Sequence, residues 1–564
     1  MQKTLFIFIL IYLFFSTEVF CQTLVLEING SNETETKIID SLNYLKTHKD
    51  FFSIKSEVEF IQNSLFKKGY IEHESFEVSK INDSLFSTTI NLRTKYKTVH
   101  VYYNNQLIDK NILNQISTKV FDNYFELPFE QTENALKFIN AKITEDGFPF
   151  SKLRLDNISI KNETYLKANL NIDSPKEKRL VNEIIIKGYE KFPRSYLRHY
   201  LKIKKNQAFD ITTIKNKTEQ LNDLRFASQI KSPEVLFSKD STSLYLYIEK
   251  SQSNNFDGFL GFGTNEETNN IEFDGYLNLN LTNNLNFGES FRLLYKSDEN
   301  DQKTFNITAT LPYLFKTPIG LDFELQIFKR DSSFTTVDQS IKLHYQINSK
   351  HKIYTGITNL ESNNLLSTDN TSSITDYRTS YYTIAYEYLK PQSYNLLFPI
   401  NSNLYFETNF GNRKQTNSSR KQTQLYFDAS TIFNLNPNNS IYTRINGSFL
   451  SSDDYLENEL SRFGGINSIR GFEENSLYAS LYALLNTEYR YQISNSIYIH
   501  SITDAAYFEN KILKTKEKLF GYGFGFGILT KAGIFKFNYA NGKLQNQKFK
   551  LSNSKIHVSL TTVF

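Results

Sequence analysis

One cysteine, Cys21, and no tryptophan occur in this sequence. The cysteine ends an N-terminal segment with the build of a secretory signal peptide. Lys3 supplies a positive start, and Leu5 to Phe15 is an almost unbroken apolar run. Val19-Phe20-Cys21 then leads into Gln22 as a cleavage site, with a small residue at the cut. Cleavage there leaves a mature chain without cysteine, which excludes disulfides and any Cys-based metal centre. Acylation of Cys21, as in a lipoprotein, is the alternative. It is disfavoured because Glu18 and Phe20 stand where such a signal carries an apolar and a small residue. The eight histidines are scattered without ligand spacing, so neither metal nor cofactor is implied. A net charge of +4 is slight for 564 residues and gives no reason to expect nucleic acid. Beyond the leader, no window approaches the roughly 18 continuous apolar residues of a membrane helix.

The chain combines a polar mean hydropathy of −0.44 with 48 Phe and 36 Tyr. Strands that are apolar on one face only, as in a membrane barrel, have this composition. A large soluble β protein would have it too. Two textures follow one another, helix mixed with strand over 23–250 and strand after strand from 251 onward. The first half holds one unit repeated three times, at a spacing of roughly 75 to 85 residues. The third copy is clearest. Val181–Glu190 (VNEIIIKGYE) predicts a strand ending at Gly188, and Tyr196, Leu197, Tyr200 and Leu201 are helix-spaced. A second helix opens at Asp210, with Ile214, Leu221 and Leu224 on one face. Strands at Pro233–Ser238 and Leu244–Glu249 close the unit. The second copy runs from Lys97 (KTVHVYY) through the helix of FEQTENALKFINAKITEDGF to LRLDNISI and LKANLNID. The first opens with LVLEING, continues with SEVEFIQNSLFKKGY, and closes with FEVSKI and STTINLRT. This β-α-α-β-β order resembles the POTRA domain of outer-membrane assembly proteins. Three unrelated α+β modules are the plainer alternative.

From Phe256 the period is two. Leu321, Phe323, Leu325 and Ile327 alternate with Asp322, Glu324 and Gln326. Tyr522, Phe524, Phe526 and Ile528 alternate with glycines at 521, 523, 525 and 527. About sixteen such strands fit, at about twenty residues per strand and connection, which suits spanning strands of about 9 to 11 residues. Ile556, Val558, Leu560, Thr562 and Phe564 share one face at the C-terminus. A last strand of this kind can close a barrel on its first and remove the exposed edge.

Between the eleventh and twelfth strands lies a long loop, Ser451 to Ser476, containing FGGINSIRGFEE. Gly464 and Gly465, followed by Ile469, Arg470, Gly471 and Phe472, resemble the [VI]RG[FY] signature of the BamA/TamA superfamily. That superfamily also includes the transporters of two-partner secretion. The strands NTEYRY (Asn486–Tyr491) and SITDAAYF (Ser501–Phe508) resemble those that follow the signature, with Ala506 where glycine is usual. Tyr522–Ala540 resembles the family's next hairpin, with Lys531-Ala532 in place of Thr-Pro and Ile528 in place of a polar residue.

The resemblance implies α+β periplasmic POTRA repeats followed by an all-β transmembrane barrel of about 16 antiparallel strands. The expected layout is 1–21 signal peptide, 23–95 and 96–176 POTRA-like units, 177–251 a third POTRA, and 252–564 the outer-membrane barrel. It further implies that the loop folds into the lumen, where Arg470 meets an acidic group on the wall. Period two nominates Asp504 first and Glu488 second, since His500 and Asp504 share one parity while Ile497, Ile499 and Tyr507 share the other. A fully solvated surface loop is the competing reading.

The implied function is insertion of β-barrel clients into the outer membrane, with no catalytic residues. POTRA strands would pair with extended segments, and a lateral seam would open between Phe256–Gly263 and Ile556–Phe564. Glycines at Gly258, Gly261 and Gly263 weaken pairing on the first strand, and Ile556, Val558, Leu560 and Phe564 form the other lip. Unfolded outer-membrane clients, outer-membrane lipids and a periplasmic or inner-membrane partner through the POTRA units are the expected partners. A two-partner-secretion translocator is the alternative, although no plug helix is visible and three units exceed the usual two. A barrel enzyme is the third reading, and no Gly-x-Ser-x-Gly elbow or Ser/His/acid set supports it.

Overall fold

The computed structural model describes residues 23–104, 108–175, 177–264, 271–297, 302–366, 373–530, 533–548 and 550–561. The leader with Cys21, the Lys531-Ala532 pair and the terminal Thr562–Phe564, Phe564 included, lie outside the described residues. The described chain forms two compact units. One comprises the residues through Leu180 with Ala208–Asp210, and the other comprises Val181–Gln207 with Ile211–Phe564.

Three N-terminal modules share one plan, in which the first strand runs parallel to the last. In the first module Leu24–Gly30 pairs in parallel with Leu85–Asn91. Its helices Glu33–Asp40 and Phe51–Lys67 start at Asn32 and Asp50, whose side chains accept from the backbone N–H of Glu35 (2.9 Å) and Ser53 (2.7 Å). The longer helix buries Ile54, Val58, Ile61 and Leu65, spaced three and four apart, against Leu26, Ile28 and Ile90 of the sheet. The second module pairs Thr98–Tyr102 in parallel with Tyr165–Asp173 and packs Thr132–Glu145 on the sheet. It also gains an antiparallel strand, Tyr124–Pro128, that the sequence pattern did not announce. The third pairs Glu183–Gly188 in parallel with Thr242–Lys250, and Ala227–Phe237 lies antiparallel on the other side. That strand begins six residues before Pro233, where the pattern had placed its start. The ladder changes register between Lys231 and Glu234, so the proline, which has no N–H to donate, sits at the irregularity.

The remaining strands form one sixteen-stranded antiparallel sheet in sequence order. They are β1 (Asn255–Thr264), β2 (Ile271–Thr282), β3 (Ser290–Ser297), β4 (Gln302–Leu311), β5 (Ile319–Arg330), β6 (Phe334–Gln346), β7 (His351–Asn364) and β8 (Tyr377–Pro391). Then follow β9 (Ile400–Gln415), β10 (Ser418–Asn434), β11 (Asn439–Ser451), β12 (Leu481–Ser494), β13 (Ile497–Asn510), β14 (Thr515–Thr530), β15 (Gly533–Leu544) and β16 (Ser554–Thr561). The sheet rolls until β1 and β16 lie side by side, with Cα atoms within 8 Å. Among the described residues no ladder pair joins those two strands, although every other neighbouring pair is laddered. The 451–476 loop leaves β11 and returns to β12.

The two faces have opposite chemistry. On β5, Phe323 and Leu325 face outward with their cross-strand partners Ile341 and Gln339. Asp322 and Glu324 point inward and accept hydrogen bonds from Thr310 (2.7 Å) and Asn306 (3.0 Å). Phe524 and Tyr522 of β14 stand exposed on the outer wall, and Gly521, Gly525 and Gly527 face a crowded interior. Ile528, which replaces a polar residue in the motif, is on the outward parity opposite Ile497 and Phe535. An apolar outside around a polar inside is the reverse of a water-soluble fold and is the pattern of a strand-built membrane barrel.

The third module packs on the barrel through aromatic hydroxyls. Tyr189 donates to Asn286 Oδ1 (2.5 Å) and accepts from Asn283 Nδ2 (2.8 Å). Tyr196 donates to the carbonyl of Gly288 (3.0 Å) and meets Tyr313 edge to face, with ring centroids 4.8 Å apart. Burial raises the Tyr196 hydroxyl far above its ordinary range, so it remains a donor at any physiological pH. Replacing a buried aromatic by alanine removes about 3 to 5 kcal/mol. Tyr196→Ala is expected to release this module, read as faster protease cleavage between residues 250 and 255 with the barrel intact.

Candidate functional site

The site is built where the loop between β11 and β12 turns back into the lumen. Gly464, Gly465 and Gly471 have φ of +114°, +94° and +89°, conformations that favour glycine, and they bend the loop at both ends of its tip. A two-stranded ladder between Ser461–Phe463 and Leu477–Ala479 staples the loop stem. Ile469, fully buried, anchors the tip in an apolar cluster with Phe463, Leu484, Ala506 and Leu519, and Phe472 packs against its side. Ala506, the departure from the family's glycine, is one wall of that cluster.

Arg470 sits between two strands. β12 and β13 pair Asn486 with Asp504, so the even residues of both strands face inward. Asp504 receives three hydrogen bonds from Arg470: from the backbone N–H (3.0 Å), Nε (2.8 Å) and Nη2 (2.6 Å). Nη1 donates to Glu488 Oε1. Arg470, Asp504 and Glu488 are 5%, 1% and 7% exposed, which places this ionic cluster out of bulk water. The fork of the guanidinium matches the Asp504 carboxylate, as a compact ammonium cannot. The wall beside it has no side chains. Gly521 lies opposite Asp504 and under the Arg470 carbonyl, and Gly542 lies opposite Gly521 and under Gly471. A Cβ at either position would meet loop backbone.

Neighbouring groups extend the cluster. Arg490 Nε donates to Glu488 Oε2 (2.7 Å), and its guanidinium is stacked between Tyr442 (4.0 Å) and Phe398 (4.6 Å). Arg444 is held by both oxygens of Asp428 (2.9 and 2.6 Å) and donates to the Asn467 carbonyl (2.6 Å). Asn486 donates to the Ser468 carbonyl (2.8 Å). The loop therefore hangs from β11, β12 and β13 by backbone as well as side chain.

A second anchor lies in the loop's first half. Arg413 of β9, with no exposed surface, donates to Glu459 Oε1 (2.6 Å) and to the Asp454 carboxylate. Gln422 donates to Glu459 Oε2 (2.9 Å), and Arg330 of β5 donates to Glu457 Oε1 (2.9 Å). From the opposite end, the turn between β8 and β9 brings Leu397 and Phe398 into the lumen against Ile432 and Tyr498. Ser393 of this turn lies beside the Asp223 carboxylate of the third module. Phe398 thus links the turn to Arg490, Glu488 and Arg470.

The sequence pattern nominated Arg470, Asp504 and Glu488, and the structure brings these three together. The nominated seam residues among those described lie apart from these three, on β1 and β16. Gly258 rests against the β2 backbone, Gly261 lies within β1, and Ile556 and Val558 are exposed on the outer wall of β16. Leu560 lies opposite Phe535. Arg413, Arg444, Arg490 and Phe398 were not nominated. Inward parity carried a signal for Arg413 and Arg490, since each shares a face with other buried polar residues.

The family model for the surface antigen variable number repeat, POTRA, matches residues 180–251. CdiB from Acinetobacter baumannii is 14% identical over 83% of this chain and 90% of that one, with a TM-score of 0.54. CdiB from Escherichia coli is 11% identical over 90% and 98%, with a TM-score of 0.55. BamA from Haemophilus ducreyi lacking POTRA domains 1–3 is 15% identical over 82% and 99%, with a TM-score of 0.48. No curated protein matches the chain in sequence. The chain is a POTRA-bearing β-barrel protein. A POTRA-type domain leads into sixteen antiparallel strands, a fold similar to that of the two CdiB structures.

Removing one member of a buried ion pair strands the other and costs about 3 to 5 kcal/mol. Arg470→Ala and Asp504→Ala are each expected to lower the loop's stability, read as proteolysis within 452–480. The double variant is expected to be little worse than either single, and Arg470→Lys is expected to rescue poorly. Strictly additive losses would remove the pairing from the account.

Proposed function

We propose that this chain inserts β-barrel polypeptides into the bacterial outer membrane, with its barrel in that membrane and its N-terminal modules in the periplasm. The observation that carries this reading is the β1–β16 boundary, the one pair of adjacent barrel strands with no ladder among the described residues. Unpaired N–H and C=O groups cost several kcal/mol each in hydrocarbon. A strand supplied by a client satisfies them, so the boundary acts as a template that lowers the barrier to insertion. The modules offer edges for the earlier step. Lys152–Asn162 and Ala227–Phe237 are outer strands of their sheets, and each can add an extended segment by backbone pairing. Such a mechanism works by hydrogen-bond exchange and needs neither nucleophile nor cofactor.

A polypeptide translocator is the second reading, favoured by the fold likeness to the two CdiB structures. The two differ in what must move. Insertion opens the seam and leaves the lumen plugged by Arg470 and its loop. Translocation through the lumen must expel that loop.

Two disulfides separate them, in a mature chain expected to have no other cysteine. A pair joining β1 near Gly261 to β16 near Val558 is expected to abolish client insertion when oxidised and restore it when reduced. Full activity of the oxidised seam would eliminate lateral opening. A pair at Ser468 and Asn486, whose loop and wall groups touch, is expected to leave insertion intact. Loss of activity in that form alone, with the seam still free, would transfer the assignment to translocation.

A further inference from the structure

On the outer wall, a patch of cations stands next to an apolar groove. Parity places Arg378 of β8, Lys414 of β9 and Lys421 of β10 on the outward face. Arg378 pairs directly with Lys414, Asn412 pairs with Lys421, and Lys421 is therefore diagonal to Lys414. Like charges directly opposite across a ladder destabilise it unless something negative lies between them. Among the described residues one carboxylate forms an ion pair with this group. Glu361 accepts from Arg378 Nη2 (2.8 Å), in a pair whose side chains are 76% and 41% exposed and so contribute little. Asp376, exposed two residues before Arg378, and Asp453, just past the end of β11, are the other acids nearby, and among the described residues none of the three acids forms an ion pair with Lys414 or Lys421. Arg420, in contrast, faces inward opposite Arg413, with Asp454 at 3.6 Å.

The groups beside the cations change in order of polarity. One row along the ladder, Asn359, Ser380 and Asn412 pair with one another across β7, β8 and β9, and Gln339 of β6 pairs with Asn359. These uncharged amides and a hydroxyl form a polar band on an otherwise apolar wall. Next to that band is a groove of about 490 Å³ lined by Phe323, Ile341, Leu343, Ile357 and Tyr382, with the Gly356 backbone at its floor. Tyr382 pairs its hydroxyl with Thr355 (2.7 Å). The patch belongs to the end of the barrel away from the third module. Tyr189 and Tyr196 touch the turns after β2 and β4, whereas the tight turn joining Lys414 and Lys421 follows β9, at the other end.

We propose that this outer face is a binding site for a phosphate-bearing glycolipid of the far leaflet. Arg378, Lys414 and Lys421 take the phosphate, since a guanidinium can bind it through two hydrogen bonds and the lysines add point charge. Asn359, Ser380, Asn412 and Gln339 meet sugar hydroxyls and amide-linked chains, and the groove takes one acyl chain. The three layers match the three chemistries of one amphiphile in the order it presents them. A simple anionic phospholipid offers the amide band only ester carbonyls and a few headgroup hydroxyls, fewer partners than a sugar with amide-linked chains. The site rests on the reading of the outer wall as membrane-facing.

The test uses the full chain in detergent micelles, with lipid A as probe and bound lipid counted by native mass spectrometry. Wild type is expected to retain lipid A over phosphatidylglycerol and phosphatidylcholine. Losing charge-assisted bonds to phosphate should weaken retention by about tenfold or more in the Arg378→Gln, Lys414→Gln, Lys421→Gln triple variant. Lipid A stripped of phosphate should lose as much on wild type. Ile357→Trp, which fills the groove, should weaken retention with the cations intact. Each variant is first shown to migrate faster unheated than boiled on a denaturing gel, the mark of a folded barrel. Equal retention by the triple variant, or equal retention of phosphatidylglycerol by wild type, overturns the site. Wild type that does not shift on the gel would instead overturn the membrane reading.

Discussion

Backbone hydrogen bonding between neighbouring strands governs this structure. Each strand satisfies its N–H and C=O groups against the next, and the sheet continues around until its first strand meets its last. The same requirement sets side-chain geometry. Once the ladders are in register, each residue is committed to lipid or lumen by its parity, and a slip of one would exchange the faces. Leu325 therefore stands outside and Glu324 inside, a single residue apart. The β1–β16 boundary is the place where the constraint is least satisfied among the described residues, and it is where added backbone would be most stabilising.

Because the interior is polar and partly filled, it can hold an ionic cluster that a dry core would penalise. Burying a guanidinium is tolerable here because the carboxylates of Asp504 and Glu488 answer it, with the geometry satisfied by several bonds at once. The absence of side chains at Gly521 and Gly542 is as important as the charges, since it allows loop backbone to lie flat on the wall. Arg413 repeats this arrangement on another arc of the barrel, so the loop is held at both its first half and its tip. The turn carrying Phe398 reaches the same cluster from below. Its Ser393 contact to Asp223 makes the third module, the turn and the loop tip one chain of packed groups within a single compact unit.

Much of this was legible in one dimension. Alternation of apolar and polar residues specified strands and their faces, because the side-chain period of a strand is two whatever its neighbours are. The same rule put Asp504 with His500, and Glu488 with Asn486 and Arg490, on the inner wall. Gly471 beside Arg470 announced a sharp bend at a charged tip. Helix starts at Asn32 and Asp50 and the core stripe of Ile54, Val58, Ile61 and Leu65 are local too.

What pattern could not supply is distance between segments. Arg413 and Glu459 are 46 residues apart, and only the rolled sheet places that strand beneath that part of the loop. Phe398 reads as a residue in a turn, and its stacking on Arg490 exists because β8–β9 and β12 meet across the lumen. The strand at Tyr124–Pro128 and the early start at Ala227 were missed for a related reason, since edge pairing there is decided by a partner strand rather than by local composition. Parity is a property of the chain and could be read from it. Proximity is a property of closure, and closure depends on all sixteen strands at once.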